Sequence, residues 1–270
     1  MLRTGLSLTI PQIIEPLRNI RLVGLSLVTN FILVPLFAYL LLQIVPLSEP
    51  LKDGLVIMAL AAGPPVLPKF AEIVKGNLAF SAGLMILLML GTIISMPIVL
   101  PLILPGVEVN SWEIAKPLVL LMLTPLAIGL LIKARYDAIA AILVPITLKA
   151  SSVGLILSLV VGITLQFHTL IELFRTGTIL ICIVFLLFSL SIGYLLGGPN
   201  SDTRRVLAVG TGQRNIAGSL LIGTTNFADP NVLSIIVVTN LLMVFTMTIF
   251  GRKLAEIVET RDIEVKQAEA

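Results

Sequence analysis

The sequence predicts an all-α polytopic membrane protein, on three observations. Hydrophobic residues fill 57% of the 270 positions and charged ones only 12%, half of what soluble domains carry, with a mean hydropathy of +1.08. The apolar sequence divides into about eight runs, each long enough to cross a hydrocarbon core of about 30 Å. Two of these runs are interrupted near their middle by glycine, proline and polar residues that a continuous membrane helix does not carry.

The elements follow in order. Residues 1–21 form an interfacial stretch, with Leu6, Leu8, Ile10, Ile13 and Ile14 set among polar groups and Arg18 and Arg21 at the entry to the first span. Span A covers residues 22–45 and contains Asn30 and Pro35. Span B, residues 54–74, is broken at 63–68, where Pro64, Pro65 and Pro68 each remove a backbone donor and clash with the preceding turn. Span C runs over 78–104, D over 115–132, E over 144–166 and F over 177–197. Span G, residues 206–230, is broken at 210–215, and span H covers 232–251. Residues 252–270 read as a polar cytoplasmic tail.

An even number of spans puts both termini on one side of the membrane. That side collects Arg3, Arg18, Arg21, Lys75, Lys133, Arg135, Arg204, Arg205 and the basic residues of the tail, against Lys52, Lys116 and Arg175 on the other. Lysine and arginine accumulate in cytoplasmic loops, so both termini are expected in the cytoplasm of a multi-pass protein of the cell (inner) membrane. Trp112, beside span D, fits an interfacial anchor.

Several function classes fall away. Cys182 lies in an apolar run as a packing residue and His168 in a loop, so no metal site is expected. There is no HExxH, no pair of intramembrane aspartates and no Ser-His pair, which argues against an enzyme. The formal net charge of +3 reflects loop bias and implies no nucleic-acid partner.

The candidate site is the break in span G. A rise of about 1.5 Å per residue puts Arg214 roughly 12 Å into the membrane, near the midplane. A guanidinium there is costly and belongs in a bundle interior or a wet cavity. Gly210 and Gly212 are expected to let the backbone leave the helix, and Thr211, Gln213, Arg214 and Asn215 to supply donors and acceptors to an anionic ligand. A kinked helix whose arginine snorkels to an interface is the plainer alternative. Spans B and G lie five apart and cross in opposite directions, so A-B-C and F-G-H read as inverted copies with broken central helices. Secondary transporters form their sites where two such helices meet. Pro65 and Pro68 then enter the site from span B. Lys69 is either a second cation there or a side chain that snorkels or pairs with Glu72. A period of five also predicts two further spans ahead of span A, and a fuller product that carries them.

These stretches resemble the bile acid:sodium symporter family of secondary transporters. The resemblance is carried by residues 5–9, 30–35, 75–81, 193–197 and the Gly212-Gln213-Arg214-Asn215 run, in order and across nearly the whole chain. It implies a single transmembrane domain over 1–270, with a core of broken crossing helices at about 22–104 and 177–251 and a partial panel at about 115–166 that moves against the core. It also implies sodium sites, and here the sequence departs. Asn30 and Ser81 match the pattern as residual sodium ligands. Met85 stands for a threonine, Leu67 and Pro68 for a Ser-Asn pair, Gly210 for the acidic residue and Arg214 for the glutamine. A fixed guanidinium nearby repels a cation, so sodium coupling is doubtful and Arg214 is expected to supply the positive charge in place.

The expected function is secondary transport of an organic anion, a carboxylate or sulfate on an apolar body, by alternating access. No cofactor is expected and Na+ stays uncertain. The partners are a small organic anion and the lipid bilayer, with homo-oligomerisation open. The alternative is a channel or a non-transporting membrane binding or regulatory protein, one lacking part of its panel.

Overall fold

The computed structural model describes residues 1–104, 111–165, 171, 173, 177–247 and 251, and these residues are helical with short connections. His168, Arg175 and the tail lie outside them.

Two short helices, α1 (Leu2–Ser7) and α2 (Ile10–Ile14), open the chain, and a 3₁₀ turn, Glu15–Arg18, leads into α3 (Ile20–Ile44). Asn19 starts α3 by accepting the Leu22 amide at 3.1 Å. Helix α4 (Glu49–Leu60) stops mid-span, α5 (Leu67–Ile73) resumes it, and α6 (Leu78–Ile103) follows behind an Asn77 cap. Helices α7 (Ser111–Leu118) and α8 (Thr124–Arg135) are joined by a π-turn, Val119–Leu123, and lead to α9 (Asp137–Leu165). Then come α10 (Thr178–Leu196), the half-helices α11 (Ser201–Gly212) and α12 (Ile216–Asn226), and α13 (Pro230–Met247), started by Asp229, whose carboxylate accepts the Asn231 amide at 2.8 Å. Among the described residues, four helices, α3, α6, α10 and α13, are long and apolar enough to cross a membrane.

Polarity is distributed for a bilayer. Exposed positions are large and apolar, among them Ile94, Leu102, Leu131, Leu180 and Leu195, while Ser26, Asn30, Thr92, Ser189, Thr211, Gln213 and Arg214 are buried. With lipid outside, polar groups can meet partners only inside the bundle. Small residues let backbones approach. A Cβ at Gly193 would lie 2.7 Å from the Leu207 carbonyl oxygen, so α10 and α11 pack backbone against backbone. At Gly5 it would lie 2.3 Å from the Leu126 carbonyl, which binds α1 to α8 in the same way. Phe37 and Phe188 stack with centroids 3.7 Å apart between α3 and α10.

Both predicted breaks are present, each with a difference: the first spans 61–66 rather than 63–68, Pro68 already lying in the first turn of α5, where its missing N–H costs nothing, and the second begins later than expected. Gly210 and Gly212 are helical, and the chain leaves the helix at Gln213, Arg214 and Asn215. The two glycines are there for room. A Cβ at Gly212 would sit 2.4 Å from the Leu190 side chain, and one at Gly210 3.1 Å from Leu67.

Candidate functional site at the crossing of two broken helices

The break after α4 leaves carbonyls that the helix no longer satisfies. Pro64 and Pro65 have no N–H to return, and Gly63, at φ +77, turns the chain so closely past α6 that a Cβ would lie 2.4 Å from the Met89 nitrogen. The freed groups of residues 58, 59, 61 and 62 find other partners. Thr92 of α6 accepts the Ala62 amide at 2.9 Å and donates to the Ala62 carbonyl at 3.0 Å. The Ala61 carbonyl accepts the Asn215 amide at 2.8 Å, so the two breaks are tied backbone to backbone. The Met58 and Ala59 carbonyls turn to Arg214.

Arg214 is fully buried. Its Nε donates to the Met58 carbonyl at 3.0 Å and Nη2 to the Ala59 carbonyl. Nη1 donates to Asn30 Oδ1 at 2.9 Å, with the Thr211 carbonyl at 3.5 Å, and Nη2 also faces the Asn30 carbonyl at 3.5 Å. Five N–H groups meet five oxygens, none from a carboxylate. Two of the carbonyls end α4 and one ends α11, so the guanidinium sits on the negative ends of two half-helices.

The fifth oxygen is produced by the sequence of α3. Residues Thr29–Leu33 form a π-turn in which the Val34 amide returns to the Thr29 carbonyl, and Pro35, next in line, has no amide. The Asn30 carbonyl is thereby released toward Arg214. The Asn30 side chain is held in turn, Nδ2 donating to the Ser26 carbonyl at 3.0 Å and to Thr211 Oγ1 at 3.2 Å.

Asn215 caps α12, its Oδ1 accepting the Gly218 amide at 3.0 Å and its carbonyl the Ser219 amide at 2.9 Å. Gln213 is buried, and its Nε2 finds no protein acceptor among the described residues. The structure thus brings Asn30, Thr211, Gly212, Gln213, Arg214 and Asn215 to one place. Pro65 and Pro68 are half-buried near the restart of the broken span, Ser81 is buried with its hydroxyl on the Leu78 carbonyl, and Lys69 is exposed on α5. Lys69 therefore does not join the buried cation. Sequence reasoning missed Thr92, although it is a rare hydroxyl in an apolar 26-residue helix, and it missed the carbonyls of Met58, Ala59 and Ala61.

Two interrupted helices meeting at a buried polar point, inside a bundle with an apolar exterior, define a multi-pass membrane protein of the transporter class. The chain belongs to the Sodium Bile acid symporter family, whose model matches residues 1–197. It is also similar to a probable sodium/metabolite cotransporter, BASS2, chloroplastic, of Oryza sativa subsp. japonica, with 24% identity over 261 residues. That similarity takes in 94% of this chain and 61% of the rice protein, so the chain spans about three-fifths of that relative's length.

Proposed function

We propose that the protein is a secondary transporter that moves an organic anion across the cell (inner) membrane by alternating access, without sodium at the crossing. Eight spans, arranged as inverted copies around α4–α5 and α11–α12 with both termini in the cytoplasm, are the topology this reading requires. The observation that carries it is the set of five neutral oxygens gathered on the Arg214 guanidinium. Carbonyl and amide oxygens at helix C-termini make a cation site, and here the cation is part of the chain.

The same geometry divides the labour between adjacent residues. The donors of Arg214 are committed, so it acts on a substrate through its charge and by fixing the crossing. The buried Gln213 amide is the donor left for an anionic head, beside the N-terminus of α12, whose dipole also favours an anion. Ser81 and Lys69 take no part.

The name of the rice relative supplies the competing reading, sodium-coupled symport of a metabolite. Thermal stabilisation of the purified protein by a panel of organic anions, with and without sodium, separates the two. An anion at about 100 times its Kd adds about 2.7 kcal/mol. Stabilisation that is indifferent to sodium and lost in Gln213→Leu is the expected result; stabilisation by sodium alone supports symport and sinks this reading. Counterflow in proteoliposomes then distinguishes a carrier from a channel or a non-transporting binder, neither of which exchanges substrate stoichiometrically.

A further inference from the structure

Two open clefts meet where the chain enters the membrane. One, of about 310 Å³, is lined by Glu15, Asn19, Asn77 and Thr203 over the buried Leu22 and Phe80 side chains. The other, of about 390 Å³, is lined by Ile10, Pro11, Ile14, Glu15 and Arg18. Glu15 belongs to both. Asn19 and Asn77 cap α3 and α6, and both helices are long and apolar enough to cross a membrane, so the clefts lie at its surface. That placement holds whichever side of the membrane the chain begins on.

The two clefts differ in chemistry. The first offers oxygen acceptors and a carboxylate, with no basic side chain in its lining. Behind that wall the Asn77 side-chain amide donates to the Asp202 carboxylate at 3.2 Å, which adds a second negative charge. A cation fits there. The second cleft sets one guanidinium among apolar groups, with Ile10 and Ile14 exposed beside it and Ile20 exposed just beyond. An anion on an apolar body fits there. Glu15 and Arg18 stand three apart in the 3₁₀ turn, where side chains at that spacing eclipse. Yet among the described residues their side chains form no ion pair with each other. The turn packs on α3 and α6, which presents the acid and the base on adjoining walls.

We propose that the double cleft binds one phospholipid whose headgroup carries a primary amine close to its phosphate, of the phosphatidylethanolamine class. The ammonium enters the first cleft and donates to Glu15, the phosphate accepts from Arg18, and the acyl chains leave over Ile10, Ile14 and Ile20. A trimethylated amine has no N–H to donate, and a glycerol headgroup brings no cation to Glu15. The site stands independently of the carrier reading. To test it, the full chain is delipidated in detergent and offered dioleoyl phosphatidylethanolamine, phosphatidylcholine or phosphatidylglycerol in mixed micelles, and bound lipid is counted by native mass spectrometry. Wild type should retain phosphatidylethanolamine about threefold better than the other two, the size of one surface ion pair. Glu15→Gln should abolish that preference, and Arg18→Gln should weaken retention of all three. Both side chains are exposed, so the variants should fold, and the wild-type headgroup series decides even without them. Equal retention of the three lipids by wild type overturns the proposal, as does a preference that survives Glu15→Gln.

Discussion

Arg214 is held by a fork that only a guanidinium can complete. Lysine would bring three donors to a cage of five oxygens and cannot span Met58, Ala59 and Asn30 together. Both Arg214→Lys and Arg214→Met should therefore destabilise the protein by about 3 kcal/mol or more, since each leaves buried carbonyls unmet at about 1–3 kcal/mol apiece. A detergent melting curve unchanged in either variant would show that the cage is not structural. Thr92→Val is the milder probe. It keeps the shape, removes both bonds to Ala62, and should lower stability by about 1–3 kcal/mol while leaving anion affinity within a factor of two or so. The burial of Arg214 was legible in the sequence, because its position roughly 12 Å along the span strains the alternative of a side chain that snorkels to an interface. Its partners were not legible, since four of the five are backbone carbonyls, which every residue has and no residue type announces.

At the scale of the element, the breaks were legible because proline and glycine act on the backbone itself. Pro64 and Pro65 keep the chain out of the helix, and Pro68 is accepted in the first turn of α5, where no N–H is needed. Glycine is less informative: at Gly63 it permits a positive φ, whereas at Gly210 and Gly212 it makes room inside a continuous helix. Sequence spacing does not separate these uses, so the second break was placed a turn early. The distinction has a measurable outcome. Gly63→Ala meets the Met89 backbone as well as an unfavourable φ, so little folded protein should be recovered, while Gly210→Ala presses only on the ends of Leu67 and Leu84 side chains and should be tolerated. Equal recovery of the two variants would contradict this assignment. The π-turns were not anticipated at all, although each is followed by a proline at the same offset, Pro35 and Pro125.

For the whole molecule, the apolar exterior and polar interior followed from composition, and the family from short motifs in order. At the membrane surface, Asp53 at the head of α4 is raised to about 6 by burial, then by Glu49 and Asp229, with Lys52 opposing. Its unfolded value is about 3.9, so the fold favours the protonated form and loses stability as pH rises from about 4 to 6. Asp53→Asn should melt higher than wild type at pH 7 and lack that slope; a wild-type melting temperature flat across the window would contradict it. A last consequence concerns the membrane potential. In the anion carrier proposed above, a dissociable cation would leave with each turnover but a guanidinium built into the chain cannot, so the site loaded with a monoanion would be neutral and the empty one positive. Voltage then acts on the unloaded step, by up to about 2.3 kcal/mol per 100 mV if the charge crosses the whole field. For that proposed carrier, an inside-negative potential would retard outward return of the empty site and therefore net uptake. Exchange of one anion for another, which never passes through the empty form, proceeds almost untouched by it.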